Sequence, residues 1–178
     1  MRRAENEKDA PLLGGISLLE SAIQLLFQLF DNVGYQRACR KADEGKPGCY
    51  SWSDLDEIQK SINEIKKTCR WCIVVAHAGE EFTPLPSPYT RERYHLYLEM
   101  GADVVVSHHP HVPMNYETVG DKVIFYSLGN FIFDTDYQRV HLYTDLGVLL
   151  KLVFTEEKMD FEAIPSSPPL RALPGSWE

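Results

Sequence analysis

Trp71-Cys72-Ile73-Val74-Val75-Ala76-His77 and, further on, Asp103-Val104-Val105-Val106-Ser107-His108-His109-Pro110-His111 decide how this chain folds. Each opens as an apolar run rich in β-branched residues and too short for a typical helix, which predicts a strand buried on both faces. Between them Ser87-Pro88 offers an N-cap and a proline at the first helical position, so a helix is predicted to run on to Met100, with Gly101 as its terminator. The unit is strand, crossover helix, strand, which makes the two strands parallel. Both then end on one edge of the sheet, where open α/β sheets bind their ligands. His77 follows the first strand, and His108, His109 and His111 follow the second. Four of the chain's six histidines therefore converge on one predicted edge.

Upstream, Leu55, Ile58, Ile62 and Ile65 recur at helical spacing. Ser53 offers an N-cap, Asp54, Asp56 and Glu57 fall in the first turn, and Lys66 and Lys67 suit the negative end of the dipole. Residues 31–50, with Gly45, Pro47 and Gly48, read as a loop or insertion. Residues 18–30 read as an amphipathic helix, because Glu20, Gln24 and Gln28 interrupt the apolar stretch at four-residue intervals. Downstream, Tyr116–Val119 and 122–126 flank Gly120-Asp121 as a hairpin. Residues 146–154 form a long apolar strand, and Met159, Phe161 and Ala163 alternate with Asp160 and Glu162 as a partly exposed one. The expected organisation is an amino-terminal helix-and-loop region, 1–50, a main domain, 51–165, and a proline-rich tail, 166–178.

The chain has 178 residues, 44% hydrophobic and 25% charged, enough for one domain or a large piece of one with a real core. A net charge of −8 without a Lys/Arg cluster excludes nucleic acid as a partner. Neither a signal peptide nor a transmembrane segment is evident, since the most apolar stretch, 12–30, is broken by polar residues. Cys69 and Cys72 form the only tight cysteine pair, Cys39 and Cys49 being further apart, whereas a zinc ribbon wants two tight pairs. These thiols read as structural or incidental.

Neutral imidazoles bind zinc, manganese and iron. On extended backbone His109 and His111 share a side, Pro110 keeps His109 out of helical geometry, and His108 is directed elsewhere. The bland alternative is a polar strand end. Glu80, Asp103, Asp134 and Asp136 are carboxylates that could complete a metal site or serve as ordinary surface and turn groups. Asn130, in the turn Ser127-Leu128-Gly129-Asn130, could bind substrate or orient a histidine, and Asp134 could fix a ring through its second nitrogen. Tyr89, Arg91 and Arg93 could meet an anionic substrate or form a solvated helix face.

Three blocks carry a family resemblance. Val74-Val75-Ala76-His77-Ala78-Gly79-Glu80-Glu81-Phe82 resembles the His-x-Gly-x-Glu segment of the CapA family, associated with poly-γ-glutamate capsule synthesis. Gly101-Ala102-Asp103 through His108-His109-Pro110-His111 is similar to its Gly-Ala-Asp…His-His-Pro-His signature, and Phe125-Tyr126-Ser127-Leu128-Gly129-Asn130-Phe131-Ile132-Phe133-Asp134 to a third block. Together they span roughly residues 52–154.

The resemblance implies the calcineurin-like metallophosphoesterase fold, a two-sheet sandwich flanked by helices. There two divalent ions, manganese, iron or zinc, polarise a phosphoester for in-line attack. It implies His77, His109 and His111 as metal ligands, with His108 beside them and Glu80, Asn130 and Asp134 as supporting or substrate-facing groups. Ser107 stands in place of the usual glycine, and Ala78 where many relatives carry tryptophan. The superfamily's Asp-x-His, Gly-Asp and Asn-His motifs are not found upstream of His77, which is the first histidine in the chain.

The expectation is thus a partial metal site, completed only if another segment supplies the remaining ligands. A hydrolase acting on an anionic polymer or phosphoester is one reading. A non-catalytic assembly component meeting other capsule-synthesis proteins is the second, and a cysteine-held zinc module the third. The family points to the bacterial envelope, although the chain shows no anchor of its own.

Overall fold

The computed structural model of the chain describes residues 50–52, 54–131 and 135–166, and the backbone of 23–31. Strands β1 (Ile23–Asp31), β2 (Tyr50–Ser51), β3 (Trp71–Ala78), β4 (Val104–His108), β5 (Tyr116–Val119) and β6 (Lys122–Phe125) form a six-stranded sheet in the order β2-β1-β3-β4-β6-β5. All neighbours are parallel except β5 and β6, which form the expected hairpin around Gly120. Strands β7 (Gly147–Phe154) and β8 (Met159–Ser166) form a separate antiparallel pair. The result is a mixed α/β sandwich.

Helices α1 (Leu55–Thr68) and α2 (Pro88–Glu99) cover one face of the large sheet. Their Ile58, Ile62, Ile65, Tyr94, Tyr97 and Leu98 pack with Cys72, Val74, Ala76, Val105 and Ile124. Ile58 and Ile62 are fully buried, each stabilising the fold by about 1.5–3 kcal/mol on area grounds. The opposite face, made by Ile73, Val104, Val106, Val123 and Phe125, meets Leu150, Leu152, Phe154, Met159 and Phe161 of the β7–β8 ribbon. Alternation along β3 and β4 thus sends consecutive residues to two different cores.

The helix ends follow their sequence signals closely. Ser87 caps α2, its side chain accepting from the Thr90 amide at 3.2 Å, with Pro88 in the first turn. Helix α1 starts one residue later than Ser53 would place it, with Asp54 at the N-cap position. Asp103, a carboxylate that could complete a metal site or serve as an ordinary surface or turn group, takes the structural role, at the other end of β4 from the histidines. It accepts from the Cys72 amide at 2.6 Å and pairs with Lys66 at 2.9 Å, pinning the start of β3 to β4.

The predicted helix over 18–30 is corrected: residues 23–31 form β1, an interior strand between β2 and β3. A four-residue spacing of polar groups satisfies a helical turn and also two strand steps, so Glu20, Gln24 and Gln28 do not separate the two geometries. Parallel pairing on both sides then decides for the strand. Strand β8 also runs further than expected, through Pro165, which pairs with Val148. A proline is tolerated there because, among the described residues, β8 has an outer side with no strand to bond. The proline-rich tail lies outside the described residues beyond Ser166.

Candidate metal centre

Strands β3 and β4 pair in register, with His77 opposite His108 at their carboxyl ends. Both sit at the strand positions that continue the ribbon-side face, after Ile73 and Val75 on β3 and after Val104 and Val106 on β4. Ser107 falls on the helix side, fully buried, with Tyr94 OH 2.5 Å from its hydroxyl.

Past His108 the chain leaves the sheet. His109 takes φ +102° and His111 φ +62°, so the extended backbone expected for this pair is not what brings them together. A left-handed turn does so, leaving the two rings 5.8 Å apart between centroids. Non-glycine residues in that region are strained, a condition that clusters at functional sites. The turn is tied to the loop after β3 by the Phe82 amide, which donates to the Pro110 carbonyl at 2.9 Å. Phe82, itself at φ +61°, stacks on His111 and on His141, with centroids 5.9 Å and 3.8 Å away.

Glu81, His109 and His111 place one ligand atom each within 4.8 Å of one another, a group that could hold a metal ion. His109 Nε2 lies 3.8 Å from Glu81 Oε1, and the His77 ring lies 5.1 Å from that of His109. Burial brings His77 down from 6.5 to about 4, helped by the neighbouring His109, His108 and His111. Burial lowers His108 as well. His109 is lowered by burial, Glu81 opposing and His111 adding to the shift. These rings are neutral at pH 7, the form in which imidazole ligates metal. Two imidazoles and one carboxylate suit a divalent cation of the zinc, manganese or iron type.

Glu81 is the residue that the sequence reading missed. The spacing His-x-Gly-x-Glu, counted from His77, ends on Glu81, so the signal lay in the quoted segment. Glu80 is turned to other work: it accepts from the Ser87 hydroxyl at 2.6 Å and from Thr90 Oγ1 at 3.3 Å, closing the loop onto the start of α2.

Asn130 is buried, and its Oδ1 lies 2.9 Å from His111 Nδ1. It reaches that place through a tight crossing of two segments. Gly129 takes φ +69°, and a Cβ on it would fall 2.6 Å from the Leu146 carbonyl oxygen. Asp134 lies outside the described residues. Asp136 is exposed and paired with Arg139 in the short helix α3 (Asp136–Arg139). Of the cationic candidates, Arg91 is held by Glu117, and Arg93 lies over the rings of Trp52 and Tyr89. Cys69 and Cys72 are buried, and burial pushes Cys72 up to about 12, which leaves it inert.

Fold and site together define an α/β sandwich with a histidine–carboxylate cluster at the carboxyl edge of a parallel strand pair. The chain belongs to the family described as bacterial capsule synthesis protein PGA_cap, which matches residues 25–135. It is 36% identical over 101 residues to the Capsule biosynthesis protein CapA of Bacillus anthracis, covering 55% of this chain and 25% of that one. It is 41% identical over 98 residues to the PGA biosynthesis protein CapA of Bacillus subtilis (strain 168), covering 55% and 26%. The chain spans about a quarter of the length of these curated relatives. Among the described residues no helix is long and apolar enough to cross a membrane.

Proposed function

We propose that this chain carries part of the metal centre of a metallophosphoesterase-type protein of bacterial capsule synthesis. The observation that carries the reading is the convergence of Glu81, His109 and His111, with His77 beside them, on one sheet edge. Glu81, His109 and His111 would hold a divalent ion, and His77 and His108 would stand by to hold a second in a complete domain. A bound ion supplies Lewis-acid polarisation of a phosphoryl oxygen there. The residues contribute the rest: neutral imidazoles present lone pairs, Asn130 orients one ring, and Phe82 walls off one side of His111. The substrate class is an anionic phosphoester or polymer.

Titrating the purified chain with zinc, manganese or iron(II) tests this reading, binding being read by calorimetry and metal content. Near-stoichiometric binding that falls at least about a hundredfold in His109→Ala is expected; an unchanged affinity refutes it. Hydrolysis of a phosphodiester that disappears in His77→Ala would support the enzymatic form. A second reading, a non-catalytic component of capsule assembly, draws on the family's description as a capsule synthesis protein. Metal binding without hydrolysis, in the chain combined with any missing portion, would favour that second reading.

A further inference from the structure

The β7–β8 ribbon starts and finishes at the histidine edge. Gly147, the first residue of β7, bridges Gly129, and a Cβ on it would fall 2.1 Å from the Asn130 carbonyl oxygen. The ribbon then runs to the far end of β3, where the Trp71 indole donates to the Thr155 carbonyl at 3.0 Å. Strand β8 returns, and Ser166, paired with Gly147, ends the described residues back at the edge. The strand direction at Ser166 points out past that edge, toward its loops. The sequence that follows is Ser167-Pro168-Pro169-Leu170-Arg171-Ala172-Leu173-Pro174.

One loop at this edge, between β6 and β7, carries a concentrated apolar surface. Of the eleven large apolar side chains exposed among the described residues, five stand on it: Phe131, Tyr137, Val140, Leu142 and Tyr143, each more than half exposed. A loose backbone is not the reason. Thr144 Oγ1 donates to the Gln138 carbonyl at 2.8 Å, and both of these residues are buried. Tyr143 holds φ +67°, unfavourable for a bulky residue, while its ring stays mostly exposed. Concentrations of exposed apolar groups mark interaction surfaces.

We propose that the chain's own proline-rich segment, residues 167–174, is the occupant of this surface. Three features support it. Eight residues in polyproline conformation reach about 25 Å, several times the length of the four-residue helix α3. Proline-rich segments dock on exposed aromatic rings with little ordering cost, and Phe131, Tyr137 and Tyr143 supply such rings. Leu170 and Leu173 match Val140 and Leu142 in character, and Arg171, the segment's single charge, meets a loop that presents the exposed Asp145. Tyr137 meets Phe82 edge-on with centroids 5.7 Å apart, so the docked segment borders the histidine cluster. The docking itself needs no bound ion and stands apart from the reading given under Proposed function.

The test is nuclear Overhauser NMR of the whole chain, with labelled leucine methyls and tyrosine rings. Contacts from the Leu170 or Leu173 methyls to the Tyr137 or Tyr143 ring are expected, unchanged on dilution. Val140→Glu combined with Leu142→Glu, both at exposed positions, is expected to keep the fold, abolish those contacts and return the two methyl shifts to random-coil values. Val153→Glu, an exposed position toward the far end of the ribbon, is expected to leave them as they are. Contacts absent from the parent, retained in the double variant or equally lost in Val153→Glu overturn the proposal. Absent contacts in a chain that sediments as a dimer, broken by the double variant, would make a second copy the occupant instead.

Discussion

The helix-covered face and the carboxyl edge of the same sheet are built on opposite terms. On the covered face Ile58, Ile62, Tyr94, Tyr97, Val74 and Val105 are almost wholly buried, in regular elements. At the edge Phe82, His109 and His111 all take positive φ, and imidazoles rather than aliphatic groups meet one another. The covered face lowers the free energy of the fold, and the edge draws on that stability to hold a strained turn. Strands β3 and β4 belong to both regions, so a site can be strained without being loose.

Substitutions can separate the two regions. The largest effect is expected from Ile62→Ala, which removes a fully buried side chain and should lower unfolding free energy by about 2–5 kcal/mol in denaturant titration. Metal affinity of the folded fraction should stay near that of the parent. A variant that kept its stability would show that the covered face is not the source of it.

Next in size is the contrast between two adjacent carboxylates. Glu81→Gln is expected to weaken metal binding about tenfold while moving stability by less than about 0.5 kcal/mol. Glu80→Gln should do the reverse, leaving metal affinity alone and lowering the melting temperature by loosening its bonds to Ser87 and Thr90. Equal metal affinities in both variants would erase the distinction between Glu80 and Glu81.

A third contrast is the effect of pH on the metal-free chain. In the unfolded chain the His77 ring takes up a proton near 6.5, in the fold only near 4. Between those values the unfolded state binds more protons, so stability rises with pH through this window and falls as pH drops. Thermal melts from pH 7 to pH 4 should show that decline, and His77→Gln should flatten it. A His77→Gln variant as pH-sensitive as the parent would assign the effect elsewhere.

Much of this was legible in residue order. The β3–α2–β4 unit could be read because its apolar runs are short, its helix carries both a cap and a stop, and the histidines fall after the strands. Strand β1 could not, because a period of four fits two geometries and only pairing with β2 and β3 selects one. The turn at His109 and His111 was hidden for a different reason. Pro110 excludes a helix, but nothing local distinguishes an extended segment from left-handed dihedrals fixed by Phe82 bonding to Pro110. Glu81 was available from motif spacing alone, whereas the placement of Asn130 beside His111 became visible only with the Thr144 carbonyl that holds its amide.

The crossing of β6 into β7 also sets an order of arrival. On a ribosome the chain emerges from its amino end, so His77 and Glu81 appear first and His109 and His111 follow after α2. Asn130 and Gln138 come last. Until the segment after Asn130 has been made, the Thr144 carbonyl that holds the Asn130 amide beside His111 is not yet in place.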